Sequence, residues 1–329
     1  MPSSTLMASE KKITAEPFYF HQVGDVEPCP QEQTWLIKDI WLASGVGLLG
    51  GQAKVCKTFL AAELSIAVAT GQPALGCFET HLSGSVLFFG AEDSLPALRN
   101  RFDGLAKTRG CDISKLSIFL IDVPVLRLDQ PQDLQRLRAA IKLCKPRLLV
   151  LDPFVRLVSH VDENSAADVS AVLGELRAIQ RDYDLALLLV HHARKSPASH
   201  PNQAFRGSSD FAAWSDSNLF LSPKKNHLEL SIEHRAARSP DPIALQLKHE
   251  PAPHLVVIAK SMPQKMSPHT SPLAAQIQKE LQNVARPLTT AELRDLLRRR
   301  KPAVVQALEA LRTAGVISRT SVGWKLASA

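Results

Sequence analysis

A glycine-containing loop that joins an apolar run to a helical pattern constrains this chain more than any other feature. The apolar residues Val46–Leu49 are followed by two glycines, and a helical pattern runs over Thr58–Thr70. This order predicts a strand, a tight loop and a helix. The loop reads GQAKVCKT from Gly51 to Thr58 and ends in the Lys-Thr pair of the phosphate-binding motif G-x-x-x-x-G-K-[ST].

Such a loop binds phosphate because its backbone N–H groups and the positive end of the helix dipole converge on one point. We expect every loop residue to contribute to a nucleotide site: Gly51, Gln52, Ala53, Lys54, Val55, Cys56, Lys57 and Thr58. Lys57 adds a positive charge, and the Thr58 hydroxyl is a candidate Mg²⁺ ligand. Cys56 replaces the second glycine of the motif, and we expect it to be tolerated with a negative φ angle. The alternative is an ordinary helix start after a glycine turn.

From Val46 onward the hydrophobic pattern alternates between strands and helices. The predicted strands are Val46–Leu49, Ser85–Phe89, Leu116–Ile121, Arg147–Leu151 and Leu185–Val190. The predicted helices are Thr58–Thr70, Leu95–Thr108, Pro131–Cys144 and Ser165–Arg181. This alternation predicts an α/β fold with a mainly parallel central sheet that is covered on both faces.

Four further strands and one amphipathic segment complete the predicted core. Four antiparallel strands are expected to finish the sheet: Asn218–Leu221, His227–His234, Ile243–Lys248 and Leu255–Ala259. The amphipathic segment Trp35–Trp41 precedes the core. We expect it to cover the edge of the nucleotide site.

Two carboxylates lie directly beyond predicted strands, where parallel sheets bind ligands. Asp152 follows a buried strand and is a candidate to hold Mg²⁺, with capping of the next turn as the alternative. Glu92 follows another strand and is a candidate to activate the water that attacks the nucleotide. Its neighbour Asp93 is expected to cap the helix that follows.

A histidine and two arginines complete the candidate catalytic set. His191 ends a predicted strand and is a candidate γ-phosphate sensor, with a partly buried structural histidine as the alternative. Zinc is not expected, because no other ligand cluster has suitable spacing. Arg206 and Arg235 are candidates for arginine fingers that reach a neighbouring subunit's nucleotide. Taken singly, each is otherwise a surface arginine.

Two long loops beyond strand ends carry basic residues, and long loops in a compact domain often have a function. Ala193–Arg206 contains Arg194 and Lys195, and Phe154–Ser165 contains Arg156. In a ring these loops would line the central hole and follow the phosphate backbone of DNA. The alternative is that they are solvated loops without a partner.

Composition excludes several classes of protein. The length of 329 residues suits one α/β core and a smaller unit, and 45% hydrophobic residues allow a sizeable core. The five cysteines are scattered without C-x-x-C spacing, which argues against a disulfide framework and favours the cytoplasm. There is no apolar run of about 20 residues and no signal-peptide pattern, so no membrane partner is expected.

The C-terminal segment is predicted to form a separate winged helix-turn-helix domain. Three helical patterns are followed by two short strands around Thr320–Gly323. Ten basic and four acidic residues give residues 273–329 a net charge of +6, out of +7 for the whole chain. The run of Arg298, Arg299, Arg300 and Lys301 favours DNA binding, with a protein-interaction or oligomerisation module as the alternative. The predicted divisions are an N-terminal arm or tail (1–34), a core (35–260), a linker (261–272) and this C-terminal domain (273–329).

Several segments together resemble RecA-type hexameric ATPases, most closely the RepA-like and DnaB-like replicative helicases. They are GQAKVCKT (51–58), VLFFGAEDS (86–94), LLVLDP (148–153), LVHHARK (189–195) and FRGSSDFAAWSD (205–216). EHRAARSPDP (233–242) resembles the finger-bearing segment of DnaB-like helicases, with Glu233 in place of the lysine finger. The resemblance covers about residues 35–260. It implies a RecA-like P-loop NTPase core, ATP and Mg²⁺ as cofactors, and a homohexamer that acts on single- or double-stranded DNA, with other replication or mobile-element proteins as further partners.

The resemblance also assigns roles to the residues already singled out: phosphate and Mg²⁺ binding to Lys57 and Thr58, the Walker B carboxylate to Asp152, water activation to Glu92, γ-phosphate sensing to His191 and trans-acting fingers to Arg206 and Arg235. RepA-like proteins lack the tail found here, which indicates a separate task for it. The sequence therefore predicts an ATP-dependent DNA motor. The alternatives are an ATP-switched DNA-binding regulator or helicase loader without unwinding activity, and a nucleotide-binding scaffold that does not hydrolyse ATP.

Overall fold

The computed structural model describes residues 20–30, 33–159, 165–192, 210–258, 272–284, 286–297, 304–305, 307–308, 311–312, 316–320 and 322–326. The chain divides into two compact units. One comprises Met1–Pro242 and Leu247–Val256, and the other comprises Ile243–Gln246 and Val257–Ala329. The finer domain limits proposed from the sequence remain predictions.

The strands and helices follow the alternation that the sequence predicts. The strands up to residue 257 are β1 (Trp35–Ile37), β2 (Trp41–Leu42), β3 (Val46–Gly51), β4 (Val86–Gly90), β5 (Ile118–Leu120), β6 (Leu148–Asp152), β7 (Ala186–His192), β8 (Ser217–Pro223), β9 (Leu228–His234), β10 (Ile243–Lys248) and β11 (His254–Val257). The helices are α1 (Lys57–Thr70), α2 (Leu95–Thr108), α3 (Pro131–Cys144), α4 (Ala166–Tyr183) and α5 (Asp210–Trp214).

Strands β3 to β11 form one nine-stranded sheet, in the order β11-β10-β9-β8-β3-β7-β6-β4-β5. From β8 to β5 every neighbouring pair is parallel, whereas β8 and β9 are antiparallel. Strands β3 and β6 are buried at every residue, as expected for a sheet covered on both faces. The predicted α/β class with a mainly parallel central sheet is therefore confirmed.

The strand register determines which residues meet at the carboxyl edge of this sheet. Gly50 of β3 is the register partner of His191 on β7, and Gly90 of β4 is the partner of Asp152 on β6. The backbone N–H of Ala91 also donates to the carbonyl of Asp152 over 2.7 Å. The loop after β3 and the candidate residues after β4, β6 and β7 therefore share one edge.

The Trp35–Trp41 segment forms the antiparallel strands β1 and β2, and it lies at the opposite edge from the one predicted. The ring of Trp35 lies edge-on to His234 at 4.9 Å, and His234 Nε2 is 3.2 Å from the carbonyl oxygen of Asp39. His234 is the register partner of Ser217, which begins β8 and lies beside the start of β3. The predicted cover of the nucleotide site is wrong, because amphipathicity shows that a segment is half-buried without showing what it packs against.

The described part of the C-terminal unit has its own small core. It contains the helices α6 (Pro272–Asn283) and α7 (Thr290–Leu297) and an antiparallel pair, β12 (Ile317–Arg319) and β13 (Trp324–Leu326). The described residues between 304 and 312 are also helical. The buried residues of this core include Ile277, Leu293, Leu308 and Trp324. The winged-helix assignment remains a prediction.

Thr289 caps the start of α7, because its Oγ1 accepts from the Glu292 N–H over 3.2 Å. The Glu292 carboxylate in turn accepts from the Thr289 N–H over 2.7 Å, which completes a capping box. The hydroxyl of Thr290 instead accepts from Trp324 Nε1 over 3.1 Å and so links the helix to β13.

Candidate nucleotide site

Lys57 folds back onto the loop that precedes it. Its Nζ donates to the carbonyl oxygens of Gly51 and Gln52 over 3.1 and 2.7 Å. The residue is buried, and this burial lowers its pKa, while the charges of Asp152 and Glu92 oppose the shift. The ammonium group therefore stays close to the centre of the loop, where it can exchange carbonyl oxygens for phosphate oxygens.

The conformation of Cys56 differs from the one expected. Its φ and ψ angles of 64° and 26° are left-handed, so the prediction of a negative φ is wrong. This region costs a residue with a Cβ about 1–2 kcal/mol, whereas glycine adopts it almost freely. The residue is nevertheless held there, since its carbonyl accepts the Leu60 N–H and begins the hydrogen bonds of α1. The loop has kept the backbone shape of the glycine motif with a side chain at the glycine position.

Gly51 is required by space as well as by backbone angle. Its φ is +154°, and a Cβ added there would lie 2.6 Å from the carbonyl oxygen of Leu221 and 2.9 Å from a methyl group of Val55. Neither contact is possible for a real side chain, because both distances are below 3 Å. The first glycine of the motif therefore fixes how closely the loop approaches β8.

Asp152 and Thr58 form the part of the site that fits a magnesium ion. The Thr58 side chain lies close enough to the Asp152 carboxylate to favour its charged form. Burial raises the pKa of Asp152 to about 6, although Thr58 and the charge of Lys57 oppose the rise. A hydroxyl and a carboxylate are the hard oxygen donors that Mg²⁺ prefers. A cation here would favour the charged form that burial disfavours, so the two residues fit the ion.

The described residues supply few other metal ligands. Among them, no group of three or more His, Cys, Asp or Glu side chains is arranged to hold an ion. In phosphate-transfer enzymes, phosphate oxygens and water supply the other ligands of a Mg²⁺ ion. Thr58 and Asp152 would then be its protein ligands.

Glu92 lies beyond β4 at the edge of the same site. Its carboxylate accepts from Arg156 Nε over 3.1 Å, and the side chain is 48% exposed. Asp93 does not cap α2 as predicted, because its carboxylate pairs with Arg101. The Oγ of Ser94 accepts the Ala97 N–H over 3.4 Å and caps the helix instead.

His191 is enclosed by two aromatic rings. It is 1% exposed and lies 5.9 Å from the ring of Phe154 and 4.4 Å from that of Phe211. Its register partner Gly50 begins the turn into the phosphate loop. The structure therefore places His191 beside the loop, within a packed aromatic cluster.

Arg235 is held inside its own chain. One Nη lies 3.4 Å from the Asp216 carboxylate, and the other donates to the carbonyl of Ala213. Asp216 also accepts from Arg177 over 2.6 Å and from the Val46 N–H over 3.1 Å. The carboxylate of Asp216 therefore joins α4, the start of β3 and the segment after β9.

The remaining predicted site residues lie outside the described part of the chain: Arg194, Lys195, Arg206, Arg298, Arg299, Arg300 and Lys301. Sequence reasoning in turn missed the pairing of Arg156 with Glu92 and the role of Asp216 as a hub. Both depend on contacts across 64 and 170 residues of chain. No local pattern carries such information.

A glycine-led loop, a buried lysine at the first turn of a helix and a buried carboxylate on a parallel strand define a P-loop nucleotide-binding protein. A family model for an AAA domain, AAA_25, matches residues 14–198. This is more than half of the chain, and the chain belongs to this family of AAA domains. Membership supports an ATPase with the RecA-like type of core that the sequence predicts.

Two solved structures are similar to the chain at low identity. The KaiC-like protein PH0186 from the hyperthermophilic archaeon Pyrococcus horikoshii OT3 is 16% identical, with a TM-score of 0.46 over 68% of this chain and 93% of that one. The second structure is an ATPase domain that is 15% identical, with a TM-score of 0.46 over 62% of this chain and 82% of that one. Within the described residues, no helix is long and apolar enough to cross a bilayer.

Proposed function

We propose that this chain is a ring-forming, ATP-dependent DNA motor, a helicase or translocase that hydrolyses ATP between its subunits. The proposal is supported by five candidate residues that lie at one edge of the sheet: Lys57, Thr58, Glu92, Asp152 and His191. Phosphate binding, metal binding and activation of water require these groups. All of them belong to one chain.

Each side chain then has a distinct task in hydrolysis. Lys57 binds phosphate oxygens in place of its own loop carbonyls. Thr58 and Asp152 would hold Mg²⁺, which supplies positive charge to the β- and γ-phosphates. Glu92 orients a water molecule and accepts its proton, for which its exposure leaves room. His191 senses the γ-phosphate, and a change in its position would be transmitted to the aromatic rings that pack against it.

The proposed ring gives Arg235 a second partner, the nucleotide of a neighbouring subunit. An arginine finger stabilises charge in the transition state, and a neighbouring subunit can supply it. Arg235 is 50% exposed, and Asp216 keeps its bond to Arg177 if Arg235 leaves. Arg206 is the second candidate for the same role.

The proposed DNA contacts come from two parts of the chain. Arg194 and Lys195 belong to the segment that follows β7 in the sequence, and this segment would face the hole of a ring. The net charge of +6 in residues 273–329, including Arg298–Lys301, would hold duplex or single-stranded DNA through a winged helix. Salt-sensitive binding of DNA by the full chain, lost when these four residues are changed to alanine, would support this assignment.

A second candidate is an ATP-switched DNA-binding regulator or helicase loader. The pairing of Glu92 with Arg156 favours this candidate, because a protein whose general base is paired with an arginine should hydrolyse ATP slowly. Displacement of a labelled strand from a forked DNA substrate separates the two candidates. Unwinding that requires ATP supports the motor. ATP-dependent assembly on DNA with no displaced strand supports the regulator and contradicts the motor.

A further inference from the structure

The ion pair between Arg156 and Glu92 links two elements of the site that the chain separates by 64 residues. Arg156 belongs to a single 3₁₀ turn, Phe154–Arg156, that follows directly on β6. The same turn places Phe154 against the ring of His191. One short turn therefore adjoins Asp152 along the chain and contacts both Glu92 and His191.

The backbone of this turn is firmly held. The carbonyl of Leu157 accepts the Leu128 N–H over 2.6 Å, and the carbonyls of Arg156 and Val158 accept from the guanidinium of Arg127. The turn is also closed by the Arg156 N–H, which donates to the carbonyl of Pro153 over 3.0 Å. Movement of the Arg156 side chain therefore does not require movement of its backbone.

The side-chain pair, in contrast, is easily exchanged. Arg156 and Glu92 are 63% and 48% exposed, and ion pairs between exposed groups are weak because water and salt screen them. A phosphate backbone carries one charge per nucleotide and offers several acceptor oxygens. Such a polyanion competes well with a single exposed carboxylate for the guanidinium.

We propose that Arg156 is a positioning residue that restrains Glu92 in the absence of DNA, and that the phosphate backbone of single-stranded DNA releases Glu92 by taking up Arg156. This inference rests on the proposed function, and it adds a route by which DNA controls hydrolysis in the same site. In the restrained state the carboxylate is turned toward the guanidinium. In the released state it is free to orient water.

The test measures ATP turnover of the full chain with and without oligothymidylate. Arg156→Ala should raise kcat without DNA by up to about fivefold, the range of one weak exposed pair, and should leave KM for ATP unchanged. The stimulation of turnover by DNA should fall towards 1. Arg156→Lys should restore part of both the restraint and the stimulation, since it keeps the charge without the planar fork.

Two controls separate this effect from a general loss of charge or fold. Arg99→Ala removes a similarly exposed arginine, 3.4 Å from Asp103, and should leave kcat and stimulation as in the wild type. Combining Arg156→Ala with Glu92→Gln should remove the gain in kcat, because the gain acts through Glu92. A gain that survives in the double variant contradicts the proposal.

The outcomes also distinguish this inference from the proposed function. A wild-type protein that hydrolyses ATP, together with an Arg156→Ala variant of unchanged kcat and stimulation, overturns the inference alone. A wild-type protein that DNA does not stimulate contradicts the DNA motor, and the competition between DNA and Glu92 with it. In that case, a raised kcat in Arg156→Ala would support only the restraint of Glu92.

Discussion

The two halves of the nucleotide site differ in burial. In the phosphate-binding half, Lys57 and Asp152 are 7% and 6% exposed, and Lys57 bonds to two carbonyls of its own chain. In the proposed hydrolytic half, the side chains of Glu92 and Arg156 are 48% and 63% exposed. The fold itself therefore fixes the first half, whereas the second half can be rearranged by what binds to it.

This difference predicts different consequences of mutation in the two halves. A buried charge costs folding free energy, so changes in the phosphate-binding half should alter stability as well as binding. An exposed charge costs little, so changes in the hydrolytic half should alter turnover and leave the fold intact. The following variants test this contrast, from the largest expected effect to the smallest.

Glu92→Gln should abolish turnover while ATP binding and stability stay as in the wild type. The amide keeps the shape of the side chain but cannot accept a proton, and loss of a general base typically costs 10²–10⁴-fold in rate. Steady-state ATPase assays and binding of a fluorescent ATP analogue measure the two properties. Asp93→Asn is the matched control and should retain turnover. Normal turnover in Glu92→Gln would remove this residue from the mechanism.

Asp152→Asn should stabilise the metal-free protein at neutral pH while it weakens Mg²⁺-dependent ATP binding. The pKa of Asp152 is raised from 3.8 to about 6, so the wild type loses about 3 kcal/mol of stability as pH rises from 4 to 6. Asparagine does not titrate, and the variant should therefore gain this amount at pH 7.5 but nothing at pH 4. Urea unfolding in EDTA at both values checks the prediction.

Asp103→Asn is the control for this pH dependence. The Asp103 side chain is 30% exposed, and a hydrogen bond from Lys107 lowers its pKa, so its loss should not stabilise the protein at either pH. Equal urea midpoints of Asp152→Asn and the wild type at pH 7.5 would show that the charged form of Asp152 does not destabilise the folded protein.

Gly51→Ala should destabilise the core by more than about 2 kcal/mol and prevent nucleotide binding, because its Cβ meets the Leu221 carbonyl at 2.6 Å. Gly76→Ala is the matched control: it has a φ of +76° with nothing within 4 Å of the added Cβ. The control should lose only about 1 kcal/mol. If both variants unfold at the same urea concentration, an added Cβ at Gly51 does not clash with the Leu221 carbonyl.

Cys56→Gly should preserve ATP binding and change stability by about 1 kcal/mol or less. Relief of the left-handed strain is partly offset by the greater freedom of glycine in the unfolded chain. Cys56→Ala removes the thiol but keeps the Cβ, and it separates the two causes. Lost ATP binding in Cys56→Gly would count against this placement of the loop.

Much of the fold could be predicted from local pattern. The limits of α2 and α3 match the prediction, because Pro131 marks the start of α3 and apolar periodicity runs through both helices. The mainly parallel sheet follows from the alternation of apolar strands with helices. These signals lie within a few residues of one another along the chain.

The site was less predictable where it depends on distant contacts or on backbone angles. The left-handed angle of Cys56 is imposed by the loop and the first turn of α1, against the preference of the residue itself. The partners of Asp93, Glu92 and Asp216 are side chains that the sheet order brings together. Spacing in the sequence identified the candidate residues but not their partners.

The bonds of Lys57 to the loop carbonyls have a consequence for selectivity. Because the ammonium already has two acceptors within the loop itself, a ligand must displace them in a one-for-one exchange. A neutral oxygen gains nothing in this exchange, whereas an anionic oxygen makes a stronger hydrogen bond. We therefore expect the loop to bind nucleotides in preference to nucleosides, and more tightly as the phosphate chain gains charge.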